Sequence, residues 1–167
     1  GGRRGHKASL FEGGIGVPFL ARWPGRIAPG KIDATSLVSA VDLLPTLLEI
    51  VAVPAPAGMD GRSFAPVLRG ETQTGRDFIV AEYNENYAGN RHPMRSIITK
   101  DYGYLFNPWS NGTRVMDTAT KGTATYRRMV ALAKTDPAVA ARLDLFEHRV
   151  PEELFNYAID PDALKNL

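Results

Sequence analysis

One segment constrains this chain more than any other: "SLVSAVDLLPTLLEIVAV", residues 36–53. Leu44, Leu47, Leu48 and Val51 recur at the spacing of one helix face. Asp42 stands where an N-cap belongs, and Pro45 falls in the first turn, where a missing N–H costs nothing. The pattern predicts a helix over Leu43–Val51, capped by Asp42, with Leu44, Leu47 and Leu48 buried. Around it the chain is punctuated. Residues 1–16 are rich in Gly and basic residues and read as a loop. Val17–Trp23 is a short apolar run stopped by Pro24-Gly25, the pattern of a buried strand and a turn. Pro54, Pro56, Gly58 and Gly61 make a loop that leads into a helical turn near Phe64–Leu68.

After the polar stretch Arg69–Arg76 the pattern changes. "DFIVAEY" reads as a strand, and "MRSIITKDYGYLFN" as a hairpin turning at Lys100-Asp101. Thr123–Lys134 and Asp136–His148 read as helices, the second with Val139, Leu143 and Phe146 on one face. "EELFNY" is a last strand. A boundary near residue 75 then separates a domain of residues 1–75 from one of residues 76–167.

Composition narrows the function classes. With 44% hydrophobic and 23% charged residues the chain can bury a real core. A net charge of +2, without any basic block, gives no nucleic-acid footprint. No apolar run reaches the length of a membrane-spanning helix. Cysteine is absent, which excludes disulfides, thiolate metal sites and a cysteine nucleophile within these 167 residues.

The short motifs, taken in order, carry more. Gly5-His6-Lys7, Glu12-Gly13-Gly14, Val17-Pro18, Arg22-Trp23-Pro24-Gly25, Asp42-Leu-Leu-Pro-Thr46 and Met59-Asp60-Gly61-Arg62-Ser63 are each weak alone. Together, in this order and spacing, the first 70 or so residues resemble the sulfatase family of the alkaline-phosphatase superfamily. "HPMRSIITKDYGYLFNPWSNG" and "PEELFNYAIDPDALKNL" resemble the C-terminal subdomain of its heparan N-sulfatase (sulfamidase-like) subgroup. Residues from about Met116 to Arg149 are the least covered.

That resemblance implies an α/β fold: the end of an alkaline-phosphatase-like large α/β domain, then a smaller α+β subdomain with an antiparallel sheet. It implies the C-terminal portion of a sulfatase, with further sequence expected upstream and downstream. The substrate would be a sulfate ester or sulfamate, on a saccharide or another small sulfated molecule. The nucleophile would be a formylglycine made from Cys or Ser, and Ca²⁺ would activate it. No Ser-x-Pro-x-Arg or Ser-x-Ala-x-Arg motif is present. Nucleophile and calcium ligands are therefore expected outside this chain, which is expected to bind no metal by itself. The resemblance places such an enzyme in the periplasm, the extracellular space or the lysosome. Two other readings stay open: a phosphonate monoester or phosphodiester hydrolase of the same superfamily, and a non-catalytic carbohydrate-binding module.

By the same resemblance Lys7 is the catalytic candidate, placed to contact the sulfate. A lysine ammonium suits oxygens on which charge builds during sulfur transfer, and flanking glycines let backbone approach the anion. A solvated loop lysine is the alternative. His6 can protonate a leaving oxygen or amine, or be a surface histidine. Glu12 reads as a structural acceptor for the Gly13-Gly14 turn. Glu85, His92 and Arg95 form a second constellation near a substrate pocket. Arg95 can grip a sugar carboxylate or sulfate, or tie the sheet to the large domain through a buried carboxylate. Trp23 reads as packing, and Trp109 as packing or sugar stacking.

Overall fold

A computed structural model describes residues 9–86, 89–117 and 119–167. These fall into two compact units. One joins the described residues up to Val17 with Val80–Leu167, and the other is Pro18–Ile79. The chain thus leaves the first unit after Val17 and returns to it at Val80, where a contiguous division near residue 75 was expected.

The first unit is built on a four-stranded sheet of order β1-β2-β3-β4: β1 (Ile79–Glu85), β2 (Arg91–Ile98), β3 (Tyr102–Phe106) and β4 (Glu152–Asn156). The β2–β3 hairpin turns at Lys100-Asp101 as expected, closed by Thr99 N–H to the Tyr102 carbonyl at 2.8 Å. Both β2–β3 and β3–β4 are antiparallel, with Ile97 opposite Tyr104 and Leu105 opposite Glu153. Ile97 and Leu105 therefore share one antiparallel sheet. A Cβ at Gly103 would overlap the Tyr157 ring, so any larger residue at that point of β3 has to push that ring aside.

Strand alternation decides what each face does. Met94, Ser96, Ile98, Leu105 and Phe155 point to the buried side. There Met94, Leu105 and Phe155 join Leu10, Phe11, Trp109, Met116 and Ala163 in the core. Residues 9–15 are not a plain loop. Leu10 and Phe11 are buried, and the single turn α1 (Glu12–Ile15) follows at once. The last residues cover the free edge of β4: Asn166 Oδ1 accepts from Leu154 N–H at 2.7 Å, and Leu167 N–H donates to the Leu154 carbonyl at 3.0 Å.

Between β3 and β4 lie α4 (Ala124–Leu132) and α5 (Pro137–Glu147). Thr123 caps α4 by accepting from Tyr126 N–H, and Asp136 caps α5 by accepting from Ala138 and Val139 N–H. The Tyr126 hydroxyl donates to the Glu147 carboxylate across the pair. Burial and that carboxylate push Tyr126 up to about 12.

The second unit holds α2 (Leu43–Ile50) and α3 (Ala65–Arg69), the latter ended by Gly70 at φ 97°. The helix of residues 43–50 is where its periodicity puts it, but two expectations about it fail. Leu44 and Leu47 are 56% and 57% exposed, while Pro45 and Thr46 are buried. Periodicity defines an apolar face without supplying the surface that would cover it. Asp42 does not cap α2 through its side chain. It is the third residue of a capping box begun by Ser39, whose N–H donates to Asp42 Oδ2 at 2.8 Å.

Val17–Trp23 is not a strand either. It has no strand partner among the described residues, and Val17, Phe19 and Leu20 are exposed. An apolar run becomes a strand only where a neighbour takes up its backbone hydrogen bonds.

Candidate functional site

Lys7 and His6 lie outside the described residues, and so does the side chain of Glu12. What the structure describes is the seat of the segment that follows them. Ser9, Leu10 and Phe11 are buried. Phe11 is 1% exposed, with its ring 5.8 Å from that of Phe155. The Arg149 guanidinium stands 4.2 Å from the same ring's centroid.

Arg149 is itself buried, its side chain 2% exposed. It donates to the Leu145 carbonyl at 2.9 Å and to Glu153 Oε1 at 3.4 Å. Glu153 also accepts from Asn107 Nδ2 at 2.9 Å, and that same amide reaches the Val150 carbonyl at 3.0 Å. Burial lowers the Arg149 pKa, and the Glu153 carboxylate works against that fall. This cluster was not foreseen. Arg149 and Glu153 lie some 140 residues from Phe11 and Asn107 some 96, and no local pattern marks such a pairing.

The second constellation is split by the sheet. Residues 92 and 95 are three apart, so on a strand they point to opposite faces. Arg95 is on the open face, its side chain 46% exposed. Its Nη1 donates to Asn84 Oδ1 at 3.0 Å and to the Met94 carbonyl at 2.7 Å, and Nη2 lies 3.4 Å from Glu82 Oε2. The expected buried carboxylate is thus an exposed one on the neighbouring strand. An anion binding here would have to displace Glu82. Glu85 lies at the end of β1, exposed and 3.9 Å from Arg91 Nε.

His92 faces the interior. Its ring meets Trp109 edge-on at 4.7 Å, and Nε2 lies 3.2 Å from the Val115 carbonyl. Desolvation, and then the nearby Arg114, lower its pKa and hold the ring neutral. It can support the pocket wall from behind but is closed to a ligand arriving from solvent. The alternation of His92, Met94, Ser96 and Ile98 in "HPMRSII" carries that signal already. Trp109 is core too, with Arg114 5.9 Å from its ring. The loop between β1 and β2 is braced by Asp117, which accepts from Asn86 Nδ2 at 3.0 Å and Asn90 Nδ2 at 2.7 Å.

In the second unit, Asp42 Oδ1 accepts from Arg62 N–H at 2.8 Å and is paired with Arg76. Arg62 reaches on to the Gly75 carbonyl, so it ties the Asp60-Gly61 turn to Asp42 and to the end of the unit. A Cβ at Gly61 would run into the Val41 carbonyl, which is why the turn can lie so close to the start of α2. A polar cavity of about 300 Å³ opens beside Asp42, Arg62, Gln73 and Arg76.

Among the described residues no group of three or more His, Asp or Glu is placed to hold a metal ion. The calcium that the sequence resemblance implies therefore has no ligand set among them. No described helix is long and apolar enough to cross a membrane.

Residues 5–115 match the family described as N-sulphoglucosamine sulphohydrolase, C-terminal. The chain belongs to this family. Among its relatives is the ulvan-active sulfatase of Formosa agariphila, 38% identical over 103 residues, which make up 60% of this chain and 20% of that one. Human arylsulfatase A is 31% identical over 164 residues, covering 96% of this chain and 28% of its own length. The solved structure of a 2-O GAG sulfatase superposes with a TM-score of 0.45 and 26% identity, over 75% of this chain and 19% of that one. The chain thus spans less than a third of each relative. The N-sulphoglucosamine sulphohydrolase match takes in Lys7, Glu85, His92 and Arg95, and it stops short of Arg149 and Glu153.

Proposed function

We propose that this chain is the C-terminal part of a sulfatase that hydrolyses sulfate esters or sulfamates on a saccharide. The observation that carries the reading is the family match over residues 5–115, which contains the Gly-x-Lys loop and the motifs after it in order. The family's own description, a sulphohydrolase of N-sulphoglucosamine, supports an amino sugar and an N–S or O–S bond as the target. The nucleophile and the calcium ligands belong to sequence beyond these 167 residues; bound calcium would supply charge to activate that nucleophile.

This chain contributes Lys7, whose ammonium neutralises sulfate oxygens as the S–O or S–N bond breaks. Arg95 and Glu85 line the approach on the open face of the sheet, and His92 stiffens it from behind. His6 lies beside Lys7 and can serve the leaving group. The test is Lys7→Ala in the complete matured enzyme, by steady-state kinetics on a sulfated saccharide with thermal melts alongside. Loss of a well-placed charged donor costs about 3 kcal/mol in the transition state, so kcat/KM falls about 100-fold while Tm is unchanged. A variant with wild-type kcat/KM returns Lys7 to the solvated surface and removes the site.

A further inference from the structure

The cavity of about 300 Å³ in the 18–79 unit has two guanidiniums in its lining, those of Arg62 and Arg76. Both are fixed through one group. Asp42, 1% exposed, accepts the Arg62 backbone N–H and pairs with the Arg76 guanidinium. Gly61 is pressed against the Val41 carbonyl, which settles the backbone from which the Arg62 side chain departs. The rim at Gln73 is tied down as well, its amide exchanging two hydrogen bonds with the Leu37 backbone at 2.8 and 2.9 Å. A lining held at so many points is preorganised for whatever it binds.

The two guanidiniums have donors left over. Each carries five N–H groups. Arg62 uses Nη1 on the Gly75 carbonyl, and Arg76 uses Nη2 on Asp42. Among the described residues neither side chain makes another hydrogen bond. Yet the Arg76 side chain is only 14% exposed, and donors so far from bulk water are ordinarily paired. The carboxylates of the lining do not answer them. Asp42 is committed to three donors, and Glu71 is exposed and turned to Arg69, 3.0 Å away. The charge without a counterpart is positive, and it sits on Arg62.

We propose that this cavity binds a small oxyanion, a sulfate or carboxylate group that is free or carried on a monosaccharide, between the guanidiniums of Arg62 and Arg76. Planar forks of N–H donors match the oxygens of such a group. The volume sets the size: it stands at the lower end of ligand sites and admits one sugar rather than a chain of them. The proposal goes beyond the reading of Lys7 and does not depend on it.

The test reads Arg62 by itself in the complete enzyme. Phenylglyoxal condenses with accessible guanidiniums, and peptide mass mapping follows each arginine separately. At constant ionic strength, sodium sulfate in place of chloride is expected to slow modification of Arg62 about 10-fold and to leave the exposed Arg91 unchanged. Glucuronate, a monosaccharide sulfate and plain glucose run beside it. Protection by the inorganic ion alone assigns the site to free sulfate, protection by the charged sugars assigns it to a sugar-borne group, and either supports the proposal. Arg76→Lys keeps a charge beside Asp42 but loses the fork, so the half-protecting sulfate concentration should rise about 10-fold. The proposal is overturned if sulfate slows Arg62 and Arg91 alike or neither, if glucose protects as well as the anions, or if Arg76→Lys changes nothing. It is overturned too if Arg62 is unreactive with no anion present, since the rest of the polypeptide then covers the cavity. Should Arg76→Lys fail to accumulate, the protection pattern of the unsubstituted enzyme decides the matter.

Discussion

The two units solve the same problem in opposite ways. The sheet unit buries Leu10, Phe11, Met94, Leu105, Trp109, Met116 and Phe155 in one cluster, so water exclusion holds it together. The unit of residues 18–79 leaves Phe19, Leu20, Leu44, Leu47 and Val51 exposed and gathers its chain around one buried carboxylate. Asp42 there takes the Ser39 N–H, the Arg62 N–H and the Arg76 guanidinium. Thr46 continues the web: its hydroxyl donates to the Asp42 carbonyl at 2.6 Å and accepts from Phe64 N–H at 3.0 Å. A core of methyl groups and rings tolerates loss of any one polar contact. A hub does not, because each partner it loses becomes an unpaired buried group.

That contrast can be broken most forcefully at Phe155. Removing this fully buried ring deletes the floor of the core and one wall of the Phe11 seat, so Phe155→Ala is expected to cost about 4 kcal/mol. Urea unfolding followed through Trp109 emission, in a Trp23→Phe background, measures it. A cost below about 1 kcal/mol would mean that the sheet unit is not held by its core.

Asp42→Ala comes next. It strips three partners at once and leaves the Arg76 guanidinium, which is mostly buried, without its counter-charge. Breaking such a pair from one side costs about 3 kcal/mol. Hydrogen exchange should show α2 amides losing protection, while those of β2 and β3 keep theirs. Uniform loss over both units would erase the distinction drawn here.

The smallest effect sharpens the comparison from inside the apolar core, at His92. Its folded pKa lies below the ordinary 6.5 because burial disfavours the charged ring. The unfolded chain therefore takes up a proton that the folded one refuses. Stability is complete above about pH 6.5 and declines as the pH falls below it. His92→Phe keeps a ring against Trp109 and removes the titration, so its stability should slope less than the wild type's between pH 7 and 5. Denaturant melts across that range read the difference, and parallel slopes would assign the acid sensitivity to other groups.

How much of this was legible beforehand follows from how local each signal is. The 43–50 helix, the hairpin at Lys100-Asp101, α5 behind Asp136-Pro137 and the closing strand all declare themselves within a dozen residues, through period, cap or turn chemistry. Failures came where the deciding partner is remote. Val17–Trp23 has the apolar character of a strand but no strand to pair with among the described residues. The exposed face of α2 depends on surface that no pattern in the helix can supply. Asp42 was read against the helix beside it, yet two of its partners lie 20 and 34 residues onward. Within the candidate site, the exposure of Arg95 and the burial of His92 were both available from alternation on β2. The Phe11–Arg149 contact was not, since only the closed fold brings those residues together.

The sheet unit is made from two stretches far apart in sequence, and that has a consequence in time. Leu10 and Phe11 leave the ribosome before Phe155, Arg149 and Glu153, which follow about 140 residues later. At 5–20 residues per second, the interval is roughly 7–30 s. Through that interval two large apolar side chains have no seat, and closing so long a loop is a slow, entropically opposed step. The residues from Pro18 to Ile79 are complete well before then. Synthesis therefore presents a partly folded chain with an apolar pair still unseated, and a holdase that recognises short apolar segments would find its target at Leu10-Phe11.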